Sequence, residues 1–175
     1  MTPRPTVAQF MTSNPASADE GLLLADAQQR MFLDNIRHLV VLRSGQVVGV
    51  LSTRDVALAL GLPGARRDRL TVRDAMSTHP YVCSPTTALA DVALEMESHR
   101  YGCAIVVEDD DVIGVFTTTD ALRALRELAT GKRAEPSVKP MHLPPDEPDH
   151  ARPFRIRRHR PIDAGSGQVF STLPK

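Results

Sequence analysis

Apolar residues recur every three or four positions between Leu89 and Met96, a spacing that places their side chains on one face of a helix. Ser84-Pro85 precedes this stripe, and serine is favoured as a helix cap and proline in the first helical position. The pattern therefore predicts an amphipathic helix that begins at Ser84-Pro85. A second helix is predicted from about Thr117 through Leu125.

Short runs rich in β-branched residues lie between these helices and predict strands. Cys103–Val107 and Val112–Phe116 flank the acidic segment EDDD, which indicates a hairpin turn. Tyr81–Cys83 predicts a short strand before the first helix. The predicted order is β-α-β-β-α, in which the helix that joins the first two strands forms a right-handed crossover.

The same pattern occurs twice along the chain. Residues 7–60 align without a gap on residues 72–125, and 15 of the 54 aligned pairs are identical. A match of this length indicates an internal duplication. The first copy is therefore predicted to contain a helix from about Asp19 to Leu33, strands at Leu39–Leu42 and Val47–Leu51, a turn at Ser44-Gly45, and a helix from Ser52.

These elements predict an α+β fold with α/β-like units, built from two tandem βαββα repeats packed as one module. We place the first repeat at residues 1–60, a linker containing Gly and Pro at residues 61–71, and the second repeat at residues 72–131. Residues 132–175 hold eight of the 14 prolines without sustained periodicity, so we predict a mostly disordered tail. Within it, Phe154–Ile156 is the stretch that fits a strand.

Charge separates the module from the tail. The whole chain has 21 basic and 21 acidic residues, but residues 1–131 hold 12 basic and 16 acidic (net −4) and residues 132–175 hold nine and five (net +4). The module therefore has no net attraction for a polyanion. Nucleic acid binding is expected only through residues 152–161, which include five arginines; a solvated, proline-rich tail is the favoured interpretation of this stretch.

The chain lacks the sequence signals of membrane or secreted proteins. No apolar run approaches the roughly 18 residues that a membrane span needs, and the N-terminus has no secretory signal pattern. Cys83 and Cys103 do not make a disulfide framework. We expect a cytoplasmic protein with reduced thiols and no membrane partner.

A matched phrase follows the last strand of each repeat: GVLSTRD at Gly49–Asp55 and GVFTTTD at Gly114–Asp120. Ser52 and Thr117, each with an acid three residues later, fit the capping box of a helix. Helix initiation alone explains most such motifs. Here the phrase occurs twice at one place, a helix N-terminus attracts anions, and a carboxylate can accept from two adjacent hydroxyls. This combination suits a ribose phosphate.

Both repeats resemble CBS domains, the small βαββα units named after cystathionine β-synthase. The matching features are an initial Met-x-x-x-Pro, a Leu/Ala-rich helix, the segments NIRHLVVL and RYGCAIVV, and the matched phrase; together they cover about residues 7–126. Repeat two fits better, because Ala16-Ser17-Ala18 predicts a weaker first strand than Tyr81-Val82-Cys83 and repeat one lacks a proline that matches Pro85. We therefore expect the better ligand site in repeat two.

The resemblance implies that the two repeats pack sheet to sheet with pseudo-twofold symmetry and bind adenosine-containing ligands in the clefts between them. AMP, ADP, ATP and S-adenosylmethionine are the implied ligands. By position, Asp120 would hold the ribose hydroxyls and Thr117 the ribose or phosphate. Asp55 and Ser52 would take the same roles in the other cleft.

Further positions follow from the same resemblance. The base would lie against the start of a middle strand, at Tyr101 and Cys103 or at Ile36 and His38. Arg54 is the candidate phosphate partner, because the guanidinium fork suits phosphate oxygens. Its counterpart in repeat two is an uncharged threonine, so the two clefts should differ in ligand preference.

The sequence contains no nucleophile elbow, phosphate loop or H-E-x-x-H motif, so we predict no enzymatic activity. The EDDD segment lacks the spacing of a calcium loop, and no metal site or cofactor is expected. We predict a stand-alone regulatory module that senses an adenine nucleotide, forms a homodimer and signals energy state to an unidentified protein. Two alternatives stay open: a nucleic-acid-associated protein acting through the tail, and a ligand-free structural dimerisation module.

Overall fold

The computed structural model describes residues 4–131 and the backbone of residues 155–156. The first part of the chain forms a 3-10 helix (Val7–Gln9), strands β1 (Thr12–Ser13) and β2 (Ser17–Asp19), helix α1 (Leu24–Leu33), strands β3 (His38–Arg43) and β4 (Gln46–Ser52), and helix α2 (Thr53–Gly61). The second part forms helix α3 (Val72–Ala75), strand β5 (Val82–Cys83), helix α4 (Leu89–His99), strands β6 (Cys103–Glu108) and β7 (Asp111–Thr117), helix α5 (Thr118–Thr130) and strand β8 (Arg155–Ile156).

The predicted β-α-β-β-α order is confirmed in both repeats. In each, a hairpin pairs two strands antiparallel, β3 with β4 and β6 with β7, and the first strand lies parallel to the middle one. The hairpins turn at Ser44-Gly45 and Asp109-Asp110, where all four residues have positive φ. Two left-handed residues form the tight turn that matches the twist of the flanking strands. The EDDD segment is therefore a hairpin turn, as predicted.

The strand hairpins of the two repeats pack against each other through a shared apolar layer, and β8 joins their strands into one eight-stranded sheet. Val40 and Val47 from the first hairpin form one buried cluster with Ile105 and Val112 from the second. Val40 and the next residue, Val41, are both fully buried, the first in this shared layer and the second in the core of its own repeat, so both faces of the hairpin are covered. The sheet-to-sheet arrangement expected from the resemblance is confirmed.

Strand β8 is the part of the tail that the structure describes. Its backbone pairs parallel to β4 at Gln46-Val47 and antiparallel to β7 at Asp111. The prediction of a strand within Phe154–Ile156 is thus confirmed for residues 155–156. The prediction that the rest of the 132–175 tail is disordered lies outside the described residues.

The N-terminal turn of each repeat completes the core of the other repeat. Val7 is fully buried in the cluster that contains Val92 and Phe116 of the second repeat. Val72 is fully buried in the cluster that contains Leu24 and Leu51 of the first. This reciprocal exchange binds the repeats into one unit, because neither core is filled by its own repeat alone.

The predicted helix start at Ser84-Pro85 is wrong: α4 begins at Leu89, five residues after Ser84. The serine hydroxyl instead bonds within a turn to Thr86. The following residues are drawn into an extended bridge with the chain's N-terminal segment, since the Val7 amide donates to the Thr87 carbonyl at 3.0 Å. These long-range hydrogen bonds hold the residues after Ser84 in an extended conformation, against their local preference for a helix.

The first helix of repeat one likewise begins at Leu24 and not near Asp19. The Leu24 amide donates to the carbonyl of Leu70 at 2.8 Å, and the Val72 amide donates to the carbonyl of Leu22 at 2.9 Å. The weaker first strand that we expected in repeat one is not found. Strand β2 has three residues and β5 has two, and both pair parallel to their middle strand.

Candidate functional site

Both matched phrases form the same strand-to-helix corner. Ser52 ends β4 and caps α2, and its hydroxyl donates to Oδ2 of Asp55 at 2.7 Å. Thr117 ends β7 and caps α5 with the same 2.7 Å bond to Oδ2 of Asp120. In each corner the amide of the capping residue also donates to that carboxylate oxygen, at 2.9 Å. The predicted capping boxes are confirmed in both repeats.

Each corner is closed on one side by the segment that enters from the other repeat. Ser77 exchanges two backbone hydrogen bonds with Val50, at 2.9 and 3.0 Å. On the other side of the module, strand β1 pairs antiparallel with β7, and Thr12 lies opposite Val115. We call the corner of Ser52–Asp55 with Ser77 the first motif site, and the corner of Thr117–Asp120 with Thr12 the second motif site.

Glycine is needed at the same place in both sites. A Cβ on Gly49 would lie 2.5 Å from the carbonyl oxygen of Ser77. A Cβ on Gly114 would lie 2.6 Å from the sulfur of Met11 and 3.0 Å from the carbonyl oxygen of Thr12. Since real Cβ atoms do not approach so closely, these glycines let the entering segments lie directly on the strands.

The starts of the middle strands meet between the two sites. The Arg37 guanidinium donates to the hydroxyl of Thr119 at 2.7 Å, across the two repeats. The His38 imidazole fills the space beside Gly102, where a Cβ would lie 2.6 Å from its Nε2. The residue that precedes β3 therefore contacts the first turn of α5 across the two repeats.

Burial shifts the pKa values of two groups at this centre. Desolvation, with a contribution from the neighbouring Arg37 charge, lowers the pKa of His38, and the Asp55 carboxylate partly opposes the change. Desolvation, reinforced by the Asp55 charge, raises the pKa of Cys103 to about 12. This thiol is buried and stays protonated at neutral pH, so it offers a packing surface and not a nucleophile.

The two carboxylates have different partners. Asp120 is 4% exposed, and its Oδ1 accepts from the Thr12 hydroxyl at 3.2 Å and from the Arg123 guanidinium at 2.9 Å. Arg123 also donates to the carbonyl of Phe10. Asp55 is partly exposed, and its Oδ1 has no hydrogen-bond or ion-pair partner among residues 4–131.

The other predicted site residues lie in different surroundings. Arg54 is exposed and makes no ion pair within residues 4–131. Ile36 is partly buried against the core of the first repeat. Tyr101 stacks on Tyr81 at 5.8 Å and on His99 at 5.3 Å between ring centroids, so its ring is already engaged within the protein.

Sequence reasoning missed three residues that build these sites: Thr12, Arg37 and Arg123. The aligned repeats contained a signal for the first, since a hydroxyl residue, Ser77, stands at the matching position of repeat two. They also contained a signal for Arg123, because the residue at the matching position of repeat one is Leu58, which carries no charge. Only the fold shows that both lie beside an aspartate.

No group of three or more His, Cys, Asp or Glu side chains among the described residues is arranged to hold a metal ion. No helix there is long and apolar enough to span a membrane.

Comparisons with known proteins agree with this architecture. The family model for the CBS domain matches residues 7–62 and again residues 72–127. A homoserine O-acetyltransferase of Methanohalophilus mahii is 26% identical over 121 residues, which are 69% of this chain and 24% of that protein. The chain thus spans about a quarter of the length of this relative.

Solved structures are similar over most of the described chain. A protein named for acetoin utilization (AcuB) from Vibrio cholerae has 25% identity and a TM-score of 0.65, over 75% of this chain and all of that one. A CBS domain pair in complex with 5′-methylthioadenosine and S-adenosyl-L-methionine has 23% identity and a TM-score of 0.63, with the same coverage. The two family matches agree with the duplicated fold and the paired motif sites. The chain therefore belongs to the CBS domain family and carries two CBS domains in tandem.

Proposed function

We propose that the chain is a regulatory module without catalytic activity that binds an adenosine-containing ligand at a motif site. One observation carries this proposal. Each repeat places a hydroxyl, a helix N-terminus and a carboxylate within one corner, with a 2.7 Å bond between hydroxyl and carboxylate in both. These groups match a ribose phosphate, whose diol donates to the carboxylate and whose phosphate faces the positive end of the helix. The adenosine ligands of the similar CBS pair support the same ligand class.

The roles of individual residues follow from their positions. Asp55 would accept from ribose hydroxyls, and Ser52 would contact the ribose or its phosphate. Asp120 and Thr117 stand at the corresponding positions of the second motif site. Arg54 is exposed at the first turn of α2, where its guanidinium would pair with a phosphate. The base would lie beside the start of a middle strand, near Ile36 and His38 or near Tyr101 and Cys103.

A homodimer belongs to this proposal. Helices α2 and α5, with the residue that follows α2, expose several large apolar side chains, a feature typical of interaction surfaces when the side chains are contiguous. They are Leu58, Leu62, Leu122, Leu125 and Leu128. A second copy that covers them would form the dimer, and a Leu125→Glu variant should then sediment as a monomer. The regulated protein is one whose activity follows the adenosine ligand, in a cytoplasmic setting that keeps Cys83 and Cys103 reduced.

Thermal unfolding of the full chain with added ligands tests the proposal. AMP, ATP, S-adenosylmethionine and 5′-methylthioadenosine are compared with GMP, which lacks the adenine base. A ligand present at about 100 times its dissociation constant should stabilise the fold by roughly 2.7 kcal/mol. A shift with adenosine compounds but not with GMP is expected. If none of the four adenosine compounds raises the melting temperature, the ligand-free dimerisation module becomes the better account.

A second function is favoured by the arginines of residues 152–161, five in ten positions, next to a module of opposite net charge. Such a segment could bind RNA or DNA by releasing counterions from phosphates. Binding to a nucleic acid would then weaken steeply with salt and disappear when residues 132–175 are deleted. Binding that survives the deletion, or an absence of binding at low salt, rejects this function.

A further inference from the structure

The second motif site has its carboxylate fully occupied by the protein. An ionised carboxylate has about four acceptor positions, two on each oxygen. In Asp120, Oδ2 accepts from the amide and hydroxyl of Thr117, and Oδ1 accepts from Thr12 and Arg123. All four positions are filled. The charge is also neutralised, because Arg123 forms an ion pair with Asp120 in which the two side chains are only 16% and 6% exposed.

The first motif site leaves half of its carboxylate open. Oδ2 of Asp55 accepts from the amide and hydroxyl of Ser52, as in the other repeat. Its Oδ1 has no partner among residues 4–131, so two acceptor positions remain for the two hydroxyls of a diol. The residue that matches Arg123 is Leu58, whose side chain is 64% exposed. The residue that matches Thr12 is Ser77, whose hydroxyl does not bond to Asp55.

We infer that the two motif sites are not equivalent: Arg123 closes the second, and the chain binds one adenosine-containing ligand, at the Ser52–Asp55 site. This inference rests on the proposed function. A ribose diol that approaches Asp120 must displace both Arg123 and Thr12 from Oδ1, whereas a diol that approaches Asp55 displaces no protein group. The second site then serves the structure, because Arg123 ties α5 to the carbonyl of Phe10 in the N-terminal segment.

This inference reverses the expectation that repeat two holds the better ligand site. That expectation followed from the closer match of repeat two to the family pattern, which contains the aspartate but says nothing about its partners. The difference between the sites arises from two pairs of aligned residues. Arg123 is matched by the uncharged Leu58, and Thr12, which bonds to Asp120, is matched by Ser77, which does not bond to Asp55.

Exchange of the unmatched residues tests the inference. Leu58→Arg places a guanidinium three residues after Asp55, on the same helix face, where it can reach the open oxygen. Ala57→Arg is the matched control, since it adds the same charge at a neighbouring exposed position that does not face Asp55. Arg123→Leu removes the guanidinium from the second site, with Arg126→Leu as the control at an exposed position of the same helix.

Calorimetric titration of each full-length variant with AMP, and in parallel with S-adenosylmethionine, measures affinity and stoichiometry. The wild type should bind one equivalent per chain. Leu58→Arg should weaken binding by about tenfold or more, because a hydrogen bond to a charged group contributes at least that much, and Ala57→Arg should not. Arg123→Leu should raise the stoichiometry towards two. Sedimentation of each variant ensures that a change of oligomeric state is not mistaken for a loss of affinity.

A comparison that does not depend on the folding of Arg123→Leu uses the aspartates themselves. In an otherwise wild-type chain, Asp55→Asn should abolish ligand binding. Asp120→Asn should leave the ligand affinity of the first motif site within about threefold of the wild-type value. Two equal sites in the wild type, or loss of binding in Asp120→Asn but not in Asp55→Asn, would overturn the closed second site while the proposed function stands. Absence of binding by the wild type overturns both.

Discussion

Val50 and Ser77 exchange backbone hydrogen bonds, each donating its amide to the other's carbonyl, at 3.0 and 2.9 Å. Ser77 belongs to the segment that enters the second repeat, and Val50 lies in the last strand of the first repeat. The pair therefore joins the two repeats directly at the first motif site. It also fixes the wall of that site in place, since the entering segment cannot move away from the strand without breaking both bonds.

Replacement of Gly49 by alanine should destabilise the fold through this contact. The added Cβ would meet the carbonyl oxygen of Ser77 at 2.5 Å, and a backbone atom cannot move aside as a flexible side chain can. We expect the free energy of unfolding to fall by about 2 kcal/mol, measured by urea denaturation. Gly61→Ala is the matched control, because a Cβ there meets no atom within 4 Å. Equal stability of the two variants would show that the close approach has no energetic consequence.

Truncation of Val72 should destabilise the first repeat even though its position in the sequence belongs to the second. The side chain is fully buried among residues of the first repeat. Val72→Ala should lower the free energy of unfolding by about 2 kcal/mol, through lost burial and the cavity left behind. Arg73→Ala, at the exposed neighbouring position, should change it by less than about 0.5 kcal/mol. A loss for Val72→Ala no greater than for Arg73→Ala would contradict the reciprocal exchange.

Stability should depend on pH through His38. Burial holds the pKa of this imidazole below its ordinary value of 6.5, so the unfolded chain binds a proton at a higher pH than the folded chain does. The stabilisation is fully present above pH 6.5, is lost as the pH falls from 6.5 to the lowered pKa, and then levels off. Urea denaturation of the wild type and His38→Gln across about pH 5 to 8 should show a shallower acid loss in the variant. Parallel curves would exclude His38 as the source.

Much of this fold was predictable because its signals are local. The hairpin turns at Ser44-Gly45 and Asp109-Asp110, and the caps at Ser52 and Thr117, each depend on residues within a few positions of one another. The duplication then gave a second, independent instance of each signal.

The parts that were not predictable depend on residues far apart in the chain. The start of α4 is displaced from Ser84 by hydrogen bonds to the N-terminal segment, about 80 residues away in sequence. The partners of Asp120 have the same origin, because Thr12 lies 108 residues from it. A repeat alignment shows which residues differ between the copies, but not that a given difference faces the candidate site.

The most direct test of the proposed function compares AMP and ATP with their 2′,3′-dideoxy forms, by calorimetric titration into the full-length wild type. The dideoxy forms keep the base and phosphates and lack only the two hydroxyls that the motif carboxylate is proposed to accept. Removal of both hydroxyls should weaken binding by about tenfold or more. Equal affinity of the ribose and dideoxy forms, or no binding of AMP, ATP and S-adenosylmethionine alike, would contradict the account.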